Sequence, residues 1–182
     1  MKFKAKYITG FVRLLCFKAM NGNRMKCSTI FQFFGQRTEV NIANASLLEL
    51  GHKNYFSSGC YIGVHDKGSC KIGNNNFFNR NVHIECLEDI SIGDNNLFGP
   101  NIVMVDHDHR TDDITALVCK QGYVKKKIRI GNDVWIGANV TICKGVTICD
   151  HAIIGANSVV TKDINVPGVY CGIPAQKRKG RI

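Results

Sequence analysis

The chain has 182 residues, enough for one domain, and its 45% hydrophobic and 21% charged content is that of an ordinary globular protein. Lys and Arg outnumber Asp and Glu by 24 to 14, and the net charge of +10 favours an anionic partner: nucleotide phosphates, acidic glycans or an anionic membrane surface. Nine scattered cysteines with no C-x-x-C pair argue against a disulfide framework or a Cys-based zinc site and for a reducing, cytoplasmic setting, and neither an 18-residue apolar run nor a cleavable signal peptide is evident.

Residues 1–22 read as a basic helix. Ile8, Phe11, Val12, Leu15 and Met20 lie near helical spacing among Lys2, Lys4, Lys6, Arg13 and Lys18, and Asn21-Gly22-Asn23 ends the run. Such a segment either rests on a membrane or partner, or caps the open end of a repeat, and the chain beyond it is repetitive. Residues 23–173 form the main domain. Val40–Ala43 and Leu47–Leu50 alternate enough to be early turns of the repeat, which becomes visible at Ile62-Gly63, Ile72-Gly73 and Ile92-Gly93. Two slips near 63–71 and 85–91 break the register and read as insertions at corners. Residues 105–127 lose the pattern and read as a loop extruded between Met104 and Ile128.

From Ile130 the period is six. Ile130, Ile136, Ile142, Ile148, Ile154 and Val160 form one column; the residue after each is small, and Val134, Val140, Val146, Ala152 and Ser158 form a third column. Six fits neither a helix nor an alternating strand; it fits a short strand and a turn per unit, three units to a triangular coil. The aliphatic column then points to the axis. Cys143 and Cys149 fall on adjacent faces and read as corner residues, not a bridge. The tail, 174–182, is short and basic.

Asp106-His107-Asp108-His109, within the loop, is the leading site for chemistry. An imidazole takes a proton near neutral pH, and a neighbouring carboxylate orients the ring and stabilises its charged form. No phosphate-binding glycine loop of the P-loop or dinucleotide type is present. His52, His65, His83 and His151 lack ligand spacing and are taken as structural. Trp135 points outward.

The run IGNDVWIGANVTICKGVTICDHAIIGANSVVTKDINVPGVYCGIPA resembles the C-terminal coils of the hexapeptide-repeat acyltransferases, above all the maltose and galactoside O-acetyltransferases and their polysaccharide-modifying relatives. The likeness spans roughly residues 60–176. It implies an all-β, left-handed parallel β-helix that assembles as a homotrimer, with acetyl-CoA in a groove between subunits and no nucleic-acid partner. The family's general-base histidine sits in the loop after a G-P-N turn, here Gly99-Pro100-Asn101. A gapless match from Asn101 selects His109, and matching D-H-x-H to the family's T-x-H-P form selects His107. Asn79 matches an asparagine that holds the acceptor sugar. Gly137, Ala138, Ala156, Thr161 and Lys162 match the CoA groove. A family arginine falls on Gln176, where Lys177, Arg178 or Lys179 would substitute.

The resemblance thus implies acetyl-CoA-dependent O-acetylation of a sugar or surface-polysaccharide precursor. Alternatives that stay open are N-acetylation of an amino sugar, a carbonic-anhydrase-like metal site drawing on His83, His107 and His109, and a non-enzymatic assembly module with peripheral membrane contact through the N-terminal segment.

Overall fold

The computed structural model describes residues 5–180. Residues 1–4 of the expected helix and residues 181–182 of the expected tail lie outside the described residues. Ala5–Asn21 is an α-helix, which ends where Gly22 takes a positive φ of 54°. From Met25 the chain winds as a parallel β-solenoid with three faces.

The first face stacks Met25–Cys27, Leu47–Leu50, Ser69–Ile72, Asp89–Ile92, Ile128–Ile130 and Thr147–Ile148. The second stacks Phe33–Phe34, Tyr55–Phe56, Phe77–Phe78, Leu97–Phe98, Trp135–Ile136, Ile153–Ile154 and Val169–Cys171, and closes with Gln176–Lys179. The third stacks Glu39–Ile42, Tyr61–Val64, His83–Cys86, Val103–Val105, Thr141–Ile142 and Val159–Val160. The column from Ile130 to Val160 is buried along the axis, as the period requires.

The coils are not of one size. Partners on successive coils are Phe56↔Phe78, then Phe78↔Phe98, then Ile136↔Ile154, so a turn shortens from 22 residues to 20 to 18. The long coils have four-residue strands on the first and third faces, each burying two inward side chains: Leu48 and Leu50, Ile62 and Val64. The two-residue strands of the short coils bury one each, Ile136, Ile142, Ile148 and Ile154, with a smaller buried side chain two residues before it. The slip near 63–71, expected as a corner insertion, is therefore largely a lengthened strand. The slip near 85–91 is a shortened corner, since inward Cys86 and Ile90 are four residues apart where Val64 and Cys70 are six.

A wider triangle leaves more axial volume to fill. Phe34, Phe56, Phe78 and Phe98 fill it as a stack with ring centroids 4.8, 4.6 and 4.5 Å apart and nearly parallel planes. Where the coils narrow, Ile136 and Ile154 continue the same column. Beside it runs a buried amide ladder. Asn54, Asn76 and Asn96 each accept the backbone N–H of the residue stacked on the next coil (Asn76, Asn96 and Val134) at 3.0, 2.9 and 2.8 Å. Each also donates to a carbonyl, of Gly73, Gly93 and Gly131. The corners would otherwise bury unpaired backbone groups.

Both ends of the stack are covered. The helix lays Leu14 over the first coil and Phe17 edge-on to Phe34 at 5.2 Å. Gly10 lies so near Phe33 that a β-carbon would come within 2.5 Å of its ring. At the other end, part of the expected tail is a strand: Gln176–Lys179 turns back antiparallel on Val169–Cys171. Such covers keep a solenoid from pairing its open edges with other chains. All nine cysteines are free, and Cys143 and Cys149 follow strands on different faces.

Candidate active site

Of the expected loop 105–127, Val105 still belongs to the third-face strand, and the chain leaves the solenoid after it, at the corner between the third and first faces. The excursion is partly ordered: His107–His109 pairs antiparallel with Tyr123–Lys125, and Val118–Lys120 forms a short 3₁₀ turn. Ion pairs Lys125–Asp66 and Lys144–Asp108 tie this ribbon to the coils on either side. At its root, Lys126 donates its backbone N–H to the Asp106 carbonyl at 2.8 Å.

Asp106 is fully buried. Its carboxylate accepts three backbone N–H groups from the coil below: Leu87 at 2.9 Å, Glu88 at 2.8 Å and Asp89 at 2.9 Å. This is the shortened corner. In the wider coil, Gly68 donates to the His65 carbonyl within a turn; here Asp106 receives the corner's donors from the coil above. The same carboxylate reaches forward to His107, Oδ1 to Nδ1 at 3.1 Å. The His107 side chain is largely buried, edge-on to the Tyr123 ring with centroids 5.1 Å apart. His109 is exposed and tilted against the same ring, with centroids 4.8 Å apart. The two histidines left open by the sequence are thus in unlike settings: one has a fixed carboxylate behind it, the other an aromatic ring.

Asn79 stands at the corner between the second and third faces. Its Oδ1 accepts the N–H of Arg80 at 2.8 Å. The turn is completed by Asn81 at φ 59°, which donates to Asn101 at 3.0 Å and begins a ladder continued by Asn139 and Asn157. The expected groove residues Gly137, Ala138 and Ala156 do meet, at the same edge two and three coils on. A β-carbon on Gly137 would lie 2.6 Å from the Ala156 nitrogen, and one on Gly99 would lie 2.8 Å from that of Ala138. Thr161 and Lys162 are exposed at the opposite edge of the third face, above the root of the His107 ribbon. Lys177 and Lys179 lie in the terminal strand. Asn79 and His107 are not brought together within one chain. The width of the His83–Cys86 strand separates their corners, roughly 13 Å at 3.3 Å per residue.

Three features escaped the sequence. Tyr123, between the two histidines, carried no spacing signal. On the third face, Glu85 bonds His83 at 3.2 Å and His65 at 3.3 Å, with Tyr61 stacked on His83 at 4.5 Å. Burial and the Glu85 charge push the Tyr61 phenol up. Two of the histidines taken as structural therefore share a carboxylate beside the ribbon, because the 22-residue coil, which a six-residue reading hides, aligns them. Finally, Phe33, Tyr55, Phe77, Leu97, Trp135 and Ile153 form an outward apolar column along the second face. Among the described residues no three His, Cys, Asp or Glu side chains converge as a metal site.

Residues 127–162 match the family model described as bacterial transferase hexapeptide (six repeats). A probable acetyltransferase of Mycobacterium tuberculosis is 32% identical over 96% of this chain, which spans only 58% of that relative's length. A galactoside O-acetyltransferase of Lactococcus lactis is 33% identical over 78% of this chain and 67% of its own. Among solved structures, a galactoside acetyltransferase in complex with coenzyme A superposes with a TM-score of 0.60 at 25% identity, covering 99% of this chain and 84% of that one. The three-faced solenoid, the repeat and these likenesses agree: the chain belongs to the hexapeptide-repeat acetyltransferases.

Proposed function

We propose that the protein transfers the acetyl group of acetyl-CoA to a hydroxyl of a sugar or a surface-polysaccharide precursor, with His107 as general base. The observation that carries the assignment is the Asp106–His107 pair. With Nδ1 turned to the buried carboxylate at 3.1 Å, Nε2 is the nitrogen left to receive a proton. The acceptor hydroxyl gives that proton to Nε2 as its oxygen attacks the thioester carbonyl. The tetrahedral intermediate then expels the CoA thiolate, which recovers the proton from the imidazolium, so the enzyme ends as it began. A backbone N–H at a coil corner stabilises the oxyanion. The likeness to galactoside O-acetyltransferases, one of them with coenzyme A bound, supports both the donor and a sugar-type acceptor.

The active form in this reading is a homotrimer. Two observations favour it. The outward column on the second face leaves Leu97 and Trp135 more than half exposed, an apolar stripe of the kind that marks an interface. The corners of Asn79 and His107 are also too far apart to grip one hydroxyl in one chain, whereas a neighbouring copy would bring its own Asn79 corner to the groove. Gly137, Ala138 and Ala156 would let the pantetheine arm approach the backbone closely, and Thr161, Lys162 and Lys177 would line its path.

The test is thiol release from acetyl-CoA with a panel of free sugars and sugar nucleotides. Acceptor-dependent release is expected, about a hundred- to ten-thousand-fold slower in His107→Ala and within a few-fold of wild type in His109→Ala. Undiminished release from His107→Ala would overturn the assignment of the base.

A further inference from the structure

The two roles open to the N-terminal helix fall on its two opposite sides. Gly10, Leu14, Phe17 and Asn21 turn toward the solenoid. At 100° per residue, the side facing away is Ile8, Val12, Leu15 and Ala19, spaced i, i+4, i+7 and i+11. Ile8, Val12 and Leu15 are 56%, 50% and 48% exposed, with Phe11 and Met20 at the margins. The outer side of a cap that faces only water is expected to be polar. Here, among the exposed residues between 8 and 20, Lys18 alone is charged.

Charge narrows the choice of occupant. The first acidic residue of the chain is Glu39, and eight Lys and Arg precede it, against a net charge of +10 for the whole. A second copy laid helix against helix would set like charge against like. Arg13 and Arg24 bond carbonyls of the solenoid and Lys26 pairs with Glu49, so Lys18 is the described ammonium at the margin of the outer side. An anionic bilayer matches both properties, taking the apolar side chains among its acyl chains and this ammonium among its phosphates.

We propose that the outward side of Ala5–Asn21 is a docking surface for an anionic lipid bilayer, the helix lying in the plane of the interface while its inner side caps the solenoid. This goes beyond acetyl transfer and does not depend on it.

The experiment is co-sedimentation of the intact protein with vesicles of phosphatidylglycerol and phosphatidylethanolamine, and with vesicles of phosphatidylcholine alone. Binding at least tenfold tighter to the anionic vesicles is expected, weakening as salt is raised. Val12→Glu with Leu15→Glu is expected to weaken it at least tenfold, with circular dichroism and the thermal midpoint unchanged because neither side chain faces the solenoid. The milder Val12→Ser gives the same ordering should the double variant misfold. Equal binding to both vesicle types, or wild-type binding by the variants, overturns the proposal. A fall in solution mass of the variants without lipid also overturns it, and assigns the surface to a second copy.

Discussion

Asp106 and His107 are neighbours in the chain with one carboxylate serving two tasks: it closes the corner at Leu87–Asp89 through three backbone N–H bonds and faces the His107 ring at 3.1 Å. Structure and proposed chemistry are therefore coupled at this residue. Asp106→Asn keeps the shape but trades an acceptor oxygen for a donor amide, aimed either at an N–H of the corner or at the ring. We expect a stability loss of about 2–4 kcal/mol by urea unfolding, since buried donors lose their partner. Turnover should fall by about a hundredfold or more even where the variant is fully folded, because the imidazole loses its orienting charge. A folded Asp106→Asn with wild-type turnover would separate the two tasks and leave His107 without a partner in the mechanism.

The amide ladder makes a second expectation. Asn76 accepts from Asn96 and donates to the Gly93 carbonyl, all within the buried corner. Asn76→Leu fills the volume but strands both groups. The cost should be about 2–5 kcal/mol by chemical denaturation, more than that of Asn75→Leu at the exposed position beside it.

Alkaline pH should unfold the protein through its inward thiols. Burial pushes Cys60 up to about 11 and Cys70 up to about 12 from 9.0, and Cys86 is also raised. In the unfolded chain these thiols ionise near pH 9, while in the folded chain they hold their protons. Their contribution is thus complete below about pH 8.5 and is lost as pH climbs through 9 toward the folded values, at a slope approaching about 1.4 kcal/mol per pH unit for each thiol. Denaturation midpoints measured from pH 8 to 11 should fall accordingly, and Cys70→Ala should flatten the decline.

Leu97→Glu places a charge in the middle of the second-face column without touching His107. Sedimentation equilibrium should show the mass falling to that of one chain, with turnover lost and the far-ultraviolet spectrum kept. A monomeric wild type with full activity would remove the shared-groove reading.

The C-terminal half was legible because it is regular. From Ile130 to Val160 each six residues repeat the same pair of buried side chains, such as Val134 with Ile136 and Val140 with Ile142, and the period alone locates the strands, the corners and the buried column. The N-terminal half was harder, since its strands bury two side chains on two faces and the period becomes 22. Counting in sixes turned those longer strands into slips, and with the register went the alignment of Tyr61, His83 and Glu85. The D-H-D-H motif was visible as chemistry, but nothing local shows that Asp106 points back to a corner 17 to 19 residues earlier. That contact exists because the corner at 87–89 is short, a deletion with no motif of its own.

The shrinking circumference of the coils has a consequence for how such a chain lengthens. A duplicated unit can be spliced in without disturbing its neighbours only where its length equals the local turn. After Ile130 the interchangeable module is 18 residues, with β-branched side chains on the axis; ahead of Phe78 it is 22, with a phenylalanine on the axis. The stretch between them, where the turn is 20 and the ribbon departs, has no module of its own size on either side. Growth by repetition is open within each regular half of this molecule and closed between them, so the segment that carries His107 is held to a single copy by the geometry of winding.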